Sequence, residues 1–109
     1  MIPLLDQEMF ESLLKPTGPD GKPNKKEIAI YFTASWCGAC KRLDHDLIQG
    51  TFPNIVWYKC DVDENQYTLG YCGLQKIPSF VMIKDSVFAG KFTSSDTSVV
   101  LHELNTVFK

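Results

Sequence analysis

Apolar positions along the chain change period several times, and each change marks an element. Behind Asp6, a residue suited to capping, Met9, Phe10, Leu13 and Leu14 recur at helical spacing over residues 7–15, and Pro16 ends the run. Glu27–Thr33 is a nearly unbroken apolar stretch, rich in β-branched and aromatic residues, as in a strand buried on both faces. Residues 37–48 read as one helix, broken by the Gly- and Pro-containing segment 49–54. Residues 55–62 form another strand, and Asp63-Glu64-Asn65 opens a short helix that runs to about Tyr71, with Gly73 just beyond it. Strands over 79–83 and 87–92 flank a turn at Lys84-Asp85-Ser86 and so predict a hairpin. Asp96 or Ser98 caps a last helix over 99–108, and residues 2–5 suit a short first strand. The segment 17–24, dense in Gly and Pro, is a loop with no phosphate-binding pattern. The order β-α-β-α-β-α-β-β-α predicts an α/β fold with a central mixed sheet and helices on both faces.

Composition narrows the function classes. A chain of 109 residues with 44% hydrophobic and 22% charged positions suits one domain spanning residues 1–109. Net charge is −2 and no basic stripe is present, which argues against nucleic acid as a partner. No apolar run approaches the ~20 residues of a membrane span. The N-terminus is too short and too soon acidic for a signal peptide, so the cytoplasm is the expected compartment. In such a reducing compartment four cysteines are expected to be catalytic or free rather than structural staples.

The chemistry concentrates in Trp36-Cys37-Gly38-Ala39-Cys40-Lys41, where a strand gives way to a helix. Two cysteines at this spacing and place suit a redox-active dithiol. At a helix start, free backbone N–H groups and the positive helix end favour the Cys37 thiolate, the form that attacks a disulfide. Cys40, three positions on, shares the helix face and is close enough to form a small ring with Cys37. Gly38 keeps the turn uncrowded. One competing reading joins the pair to Cys60 and Cys72 as a zinc site, but structural zinc sites usually use two tight knuckles, and these two cysteines are far apart in sequence. Another makes the pair two small core residues, which leaves Trp36 unexplained. No metal is expected. Cys60 reads as a small core residue; Cys72 is either unreactive or a regulatory, partner-binding thiol. His45 and His102 are expected on helix surfaces, and the acids Asp61, Asp63 and Glu64 lack the spacing of a calcium loop.

Taken together, the order and these residues resemble the thioredoxin family over essentially the whole chain. Trp36-Cys37-Gly38-Ala39-Cys40-Lys41 is similar to that family's active-site turn, Asp61-Val62-Asp63 to the end of its third strand, and Ile77-Pro78 to its cis-proline loop. The resemblance implies a thioredoxin-like three-layer α/β/α sandwich and a thiol–disulfide oxidoreductase that reduces protein disulfides. Cys37 attacks and Cys40 resolves. By the same resemblance, Trp36, Gly38, Ala39, Ile77 and Pro78 are expected to form an apolar patch that holds an extended segment of the substrate. Disulfide-containing proteins are the expected substrates, a separate reductase the expected recycling partner, and the chain is expected to act as a monomer. It carries no nucleotide or flavin signature, so no cofactor is expected. The alternatives are a dithiol oxidase or disulfide isomerase, set apart by reduction potential, and a binding module with little redox turnover.

Four departures from the family pattern stand out. Ala39 replaces a proline between the cysteines, which leaves the potential open. Tyr31 stands where the family often has a buried acid that helps move the proton of the resolving cysteine. A phenol accepts a proton poorly near neutral pH, so resolution is expected to depend on alkaline pH, and Lys59 loses its usual partner. His45 replaces a helix-kinking proline, which predicts a straighter helix. Ser94 or a neighbour replaces a glycine that flanks the active site.

Overall fold

The structure, a computed structural model, describes residues 1–17, 20–22 and 25–108. Part of the expected loop over 17–24 therefore lies outside the described residues. Five strands form one sheet in the order β1-β3-β2-β4-β5: β1 (Ile2–Pro3), β2 (Glu27–Thr33), β3 (Val56–Asp61), β4 (Ser79–Lys84) and β5 (Val87–Thr93). β2 lies parallel to β3 and antiparallel to β4, so the sheet is mixed as expected. The helices are α1 (Gln7–Ser12), α2 (His45–Thr51), α3 (Gln66–Tyr71) and α4 (Thr97–Val107). α1 packs with α3, and α2 packs with α4, in the three-layer arrangement.

The two central strands carry the core. β2 and β4 are buried along nearly their whole lengths, which is why both read as continuous apolar runs. Successive side chains of a strand point to opposite faces. Tyr31 thus shares a face with its cross-strand partner Phe80, and Phe80 stacks in turn on Phe92, at ring separations of 5.3 and 4.9 Å. His45 of α2 closes over the same face, its ring 4.9 Å from that of Tyr31. Elsewhere Phe10 of α1 meets Tyr71 of α3 edge-on.

Most elements stand where the pattern put them, and the differences have local causes. α1 stops at Ser12 instead of running to 15. The N–H groups of Leu13, Leu14 and Lys15 reach back only three residues, so the helix tightens ahead of Pro16. β1 is two residues long, although Leu4 N–H still donates to Lys59 O at 2.8 Å. Asp96, not Ser98, caps the last helix: its carboxylate accepts from Ser98 N–H at 2.9 Å. The hairpin turn is the two-residue Asp85-Ser86, both at positive φ, a conformation that Asp tolerates better than most.

The largest correction concerns residues 37–48, which are not one helix. A 3₁₀ turn covers Cys40–Arg42, Leu43 is extended, and Asp44 then caps a new helix by accepting from Leu47 N–H at 3.0 Å. The backbone N–H of Asp44 donates to the Thr97 hydroxyl at 3.0 Å, which ties this break to the start of α4. Aspartate competes with a helix for backbone donors, and here the fold supplies the partner that lets it win. The expected straight helix is thus replaced by a broken one, without any proline at the break.

Candidate active site

β2 delivers the redox segment. Its last residue, Thr33, accepts from Val62 N–H at 2.9 Å, and the chain then leaves the sheet. Cys37 N–H donates to Ala34 O at 3.1 Å and closes a turn, after which Lys41 N–H donates to Gly38 O at 3.2 Å. Cys37 and Cys40 are joined as a disulfide, with Cα atoms 5.3 Å apart. Cys40 N–H donates to Cys37 Sγ at 3.1 Å. The N–H group invoked from sequence is therefore a single backbone donor aimed at the first sulfur. Such a bond favours a charged acceptor over a neutral one.

The other expected site residues gather around this turn in different degrees of exposure. Trp36 is 66% exposed, and its indole N–H donates to an Asp63 carboxylate oxygen at 2.9 Å. Asp63 is held in turn by its backbone N–H, which donates to the Asp61 carboxylate at 2.9 Å. Sequence reasoning treated these acids only as a cluster and missed the contact; a charged residue 27 positions from Trp36 gives no local signal of it. Gly38 is exposed and Ala39 half-buried. A Cβ built on Gly38 meets no atom within 4 Å, so crowding within the turn is not what keeps a glycine there, contrary to the sequence expectation.

The peptide bond between Ile77 and Pro78 is cis. Phe32 pairs with Ser79 in the antiparallel ladder, so the preceding Pro78 falls beside Thr33, at the sheet end from which the cysteine turn departs. Ser94 N–H donates to Pro78 O at 3.3 Å, and the Ser79 hydroxyl donates to Lys76 O, fixing the loop from both sides. Ile77 is half-buried and Pro78 buried.

Behind the disulfide lies a cleft of about 700 Å³ lined by Tyr31, Thr33, Cys40, His45, Lys59 and Asp61 among others. Burial holds the Tyr31 phenol above its ordinary range, against a hydrogen bond from the Thr33 side chain that pulls it down. His45 corrects a second expectation. It is half-buried rather than on the surface, and its Nε2 lies 3.1 Å from Cys40 O. His102, by contrast, is exposed as expected.

Cys60 and Cys72 take no part in this turn. Both are free and buried. Burial, aided by the charges of Asp61, Cys72 and Glu64, pushes the Cys60 thiol up to about 12. Burial also pushes Cys72 up to about 11, against the opposing charge of Lys91. Among the described residues no group of three or more His, Cys, Asp or Glu is placed to hold a metal ion.

Known proteins match this arrangement. The thioredoxin family model matches residues 3–105. A thioredoxin of Geodia cydonium is 32% identical over 96 residues, 86% of this chain and 85% of the relative. The crystal structure of oxidised mitochondrial thioredoxin 3 from Saccharomyces cerevisiae superposes with a TM-score of 0.80 at 26% identity, covering 98% of this chain and 95% of the other. The X-ray structure of Fasciola hepatica thioredoxin gives a TM-score of 0.78 at 26% identity over the full length of both. With a cysteine pair bridged at the end of the central strand and likeness along nearly its whole length, the chain belongs to the thioredoxin family of dithiol oxidoreductases.

Proposed function

We propose that this thiol–disulfide oxidoreductase works in the reducing direction on protein disulfides, with Cys37 as nucleophile and Cys40 as resolving thiol. The observation that carries the assignment is the Cys40 N–H donating to Cys37 Sγ at 3.1 Å, which stabilises negative charge on the first sulfur. In the cycle, the Cys37 thiolate attacks a substrate disulfide and expels one substrate thiolate, forming a mixed disulfide. Cys40 then attacks Cys37 Sγ, releases the second substrate thiol and leaves the Cys37–Cys40 bond. Two electrons pass to the substrate, and a separate reductase must return them.

Substrate is held, in this reading, as an extended segment across Trp36, Gly38, Ala39, Ile77 and Pro78. The exposure of Trp36 and Gly38, and the placement of the cis-proline loop at the sheet end where the cysteine turn departs, support this. No helix among the described residues is long and apolar enough to cross a membrane. We place the protein in the cytoplasm as a monomer, with residues 1–109 working as one domain, on the composition and reducing chemistry already given.

Insulin reduction driven by dithiothreitol tests the activity, and recycling by a thioredoxin reductase with NADPH tests the direction. The expected result is accelerated turbidity and NADPH consumption. Turbidity no faster than with dithiothreitol alone would make the protein a binding module. Isomerisation of scrambled substrates without NADPH-coupled turnover would make it an isomerase.

A further inference from the structure

We propose that His45 accepts the proton of the Cys40 thiol when the mixed disulfide is resolved, acting through water in the cleft behind the disulfide. The proposal rests on the reductase reading above and adds the identity of the proton acceptor. Resolution needs Cys40 as a thiolate, since a thiol is not the nucleophile. Cys40 is only 3% exposed, and burial in general disfavours the charged form. Some group facing Cys40 must therefore take the proton.

The cleft limits the candidates. Cys40 lines it together with Tyr31 from β2, Lys59 and Asp61 from β3, Lys41 from the turn, His45 and Gln49 from α2, and Met1. The ammonium groups of Lys41 and Lys59 have no lone pair to offer. The Tyr31 phenol already holds its proton, more firmly than usual because it is buried. Asp61 commits one carboxylate oxygen to Asp63 N–H, which leaves His45 as the cleft's imidazole base. α4, packed on α2, presents Thr97 to Asp44, a neutral contact. The remaining charges near His45 are Asp44 and Asp46 on its own helix start.

The geometry of His45 suits the task. Its Nε2 faces Cys40 O at 3.1 Å, and a carbonyl oxygen only accepts, so Nε2 carries the hydrogen. In the neutral ring Nδ1 then bears the lone pair, and no described protein group bonds to it. A cleft of about 700 Å³ has ample room for bridging water. Protonation at Nδ1 strengthens the Nε2–H bond to Cys40 O, because a charged donor binds a carbonyl more tightly. The step balances. The Cys40 S–H proton passes through water to Nδ1, and the Cys40 thiolate forms the S–S bond to Cys37. The Cys37–substrate S–S bond breaks, and the departing thiolate takes a proton from solvent as the imidazolium returns its own.

The reaction of reduced protein with 5,5′-dithiobis(2-nitrobenzoate) separates the steps. Attack by Cys37 releases one thionitrobenzoate, and resolution by Cys40 releases the second. The second phase isolates resolution, the step in which the Cys40 proton must leave. His45→Gln, which keeps an N–H donor for Cys40 O, should slow that phase about 100-fold at pH 7. Its first phase should stay within about twofold, since general-base help is absent from a step that starts from a thiolate. Added imidazole should restore the second phase in His45→Ala, a rescue that a merely structural role would not give. A second phase in folded His45→Gln with the wild-type rate and pH profile would overturn the proposal. A wild type that never releases the first equivalent would instead overturn the reductase reading on which it rests.

Discussion

Two pairs of cysteines share this small chain, and residue burial hardly distinguishes them. Cys37 and Cys40 are 4% and 3% exposed, Cys60 and Cys72 0% and 6%. Their chemistry differs because of what surrounds each sulfur. Cys37 receives a backbone N–H, and Cys40 lines a cleft that also holds the His45 imidazole. Cys60 sits one residue from the end of β3, paired with Phe32, where Asp61 and Glu64 add negative charge and its own S–H is turned toward Asn65 O at 3.6 Å. Cys72 has the cation of Lys91 nearby, yet burial still dominates and keeps it protonated. Thiol reactivity follows local donors, charge and access at the sulfur, not the fraction of residue surface that is covered.

The sharpest break of this comparison is substitution of the reactive pair. Cys37→Ser should abolish turnover, because Cys60 and Cys72, the thiols outside the turn, are buried. Cys40→Ser should still attack and then stall as a mixed disulfide visible by non-reducing electrophoresis. Reduced wild type whose Cys40 alkylates faster than Cys37 would reverse the two roles.

Alkylation also compares the pairs directly. A thiol near 12 carries roughly a thousandfold less thiolate than one near the ordinary ~8.5–9 at any pH well below both. Reduced native protein treated with iodoacetamide at pH 8 should therefore modify one thiol of the active turn first, and Cys60 and Cys72 more than about 100-fold slower. Mass spectrometry with and without denaturant reads the difference. Rapid native labelling of Cys72 would revive the regulatory reading.

The inert pair should instead reveal itself in stability. A thiol whose folded value lies above its unfolded one contributes stability that is complete below the unfolded value and lost as pH rises toward the folded one. For Cys60 and Cys72 that window runs from about 9 up to about 12 and about 11 respectively. Urea midpoints should therefore fall with pH across this range. Cys60→Ala should flatten the fall while costing about 1–2 kcal/mol at neutral pH through the cavity it leaves. An alkaline slope unchanged in Cys60→Ala would assign the loss to other groups.

The smallest expected effect tests the surface of the turn. Gly38→Ala meets no neighbour, so it should leave thermal stability unchanged or raise it by about 0.5 kcal/mol. If Gly38 lies under bound substrate, the added methyl should raise KM for insulin several-fold and leave the reaction with a small disulfide untouched. Equal effects on large and small disulfides would remove Gly38 from the substrate surface.

What local pattern determines was legible from residues alone. β2 announced itself by an unbroken apolar run because a central strand is buried on both faces. Asp6 capped α1 as expected, through a contact three residues away. The cysteine pair was visible because its partners are neighbours in sequence. Contacts between distant segments decided the rest. The helix expected over 37–48 breaks at Leu43 with Asp44 bonded to Thr97, 53 positions on, a partner that only the packed fold supplies. Trp36 is oriented by Asp63 and His45 is drawn under Cys40 beside Tyr31, placements that follow from which strands pair and which helix covers them. The sequence by itself determined that a dithiol stands at the end of a buried strand. Tertiary structure decided which side chains face each sulfur, because hydrogen bonds and burial between distant segments exist only once the sheet has assembled.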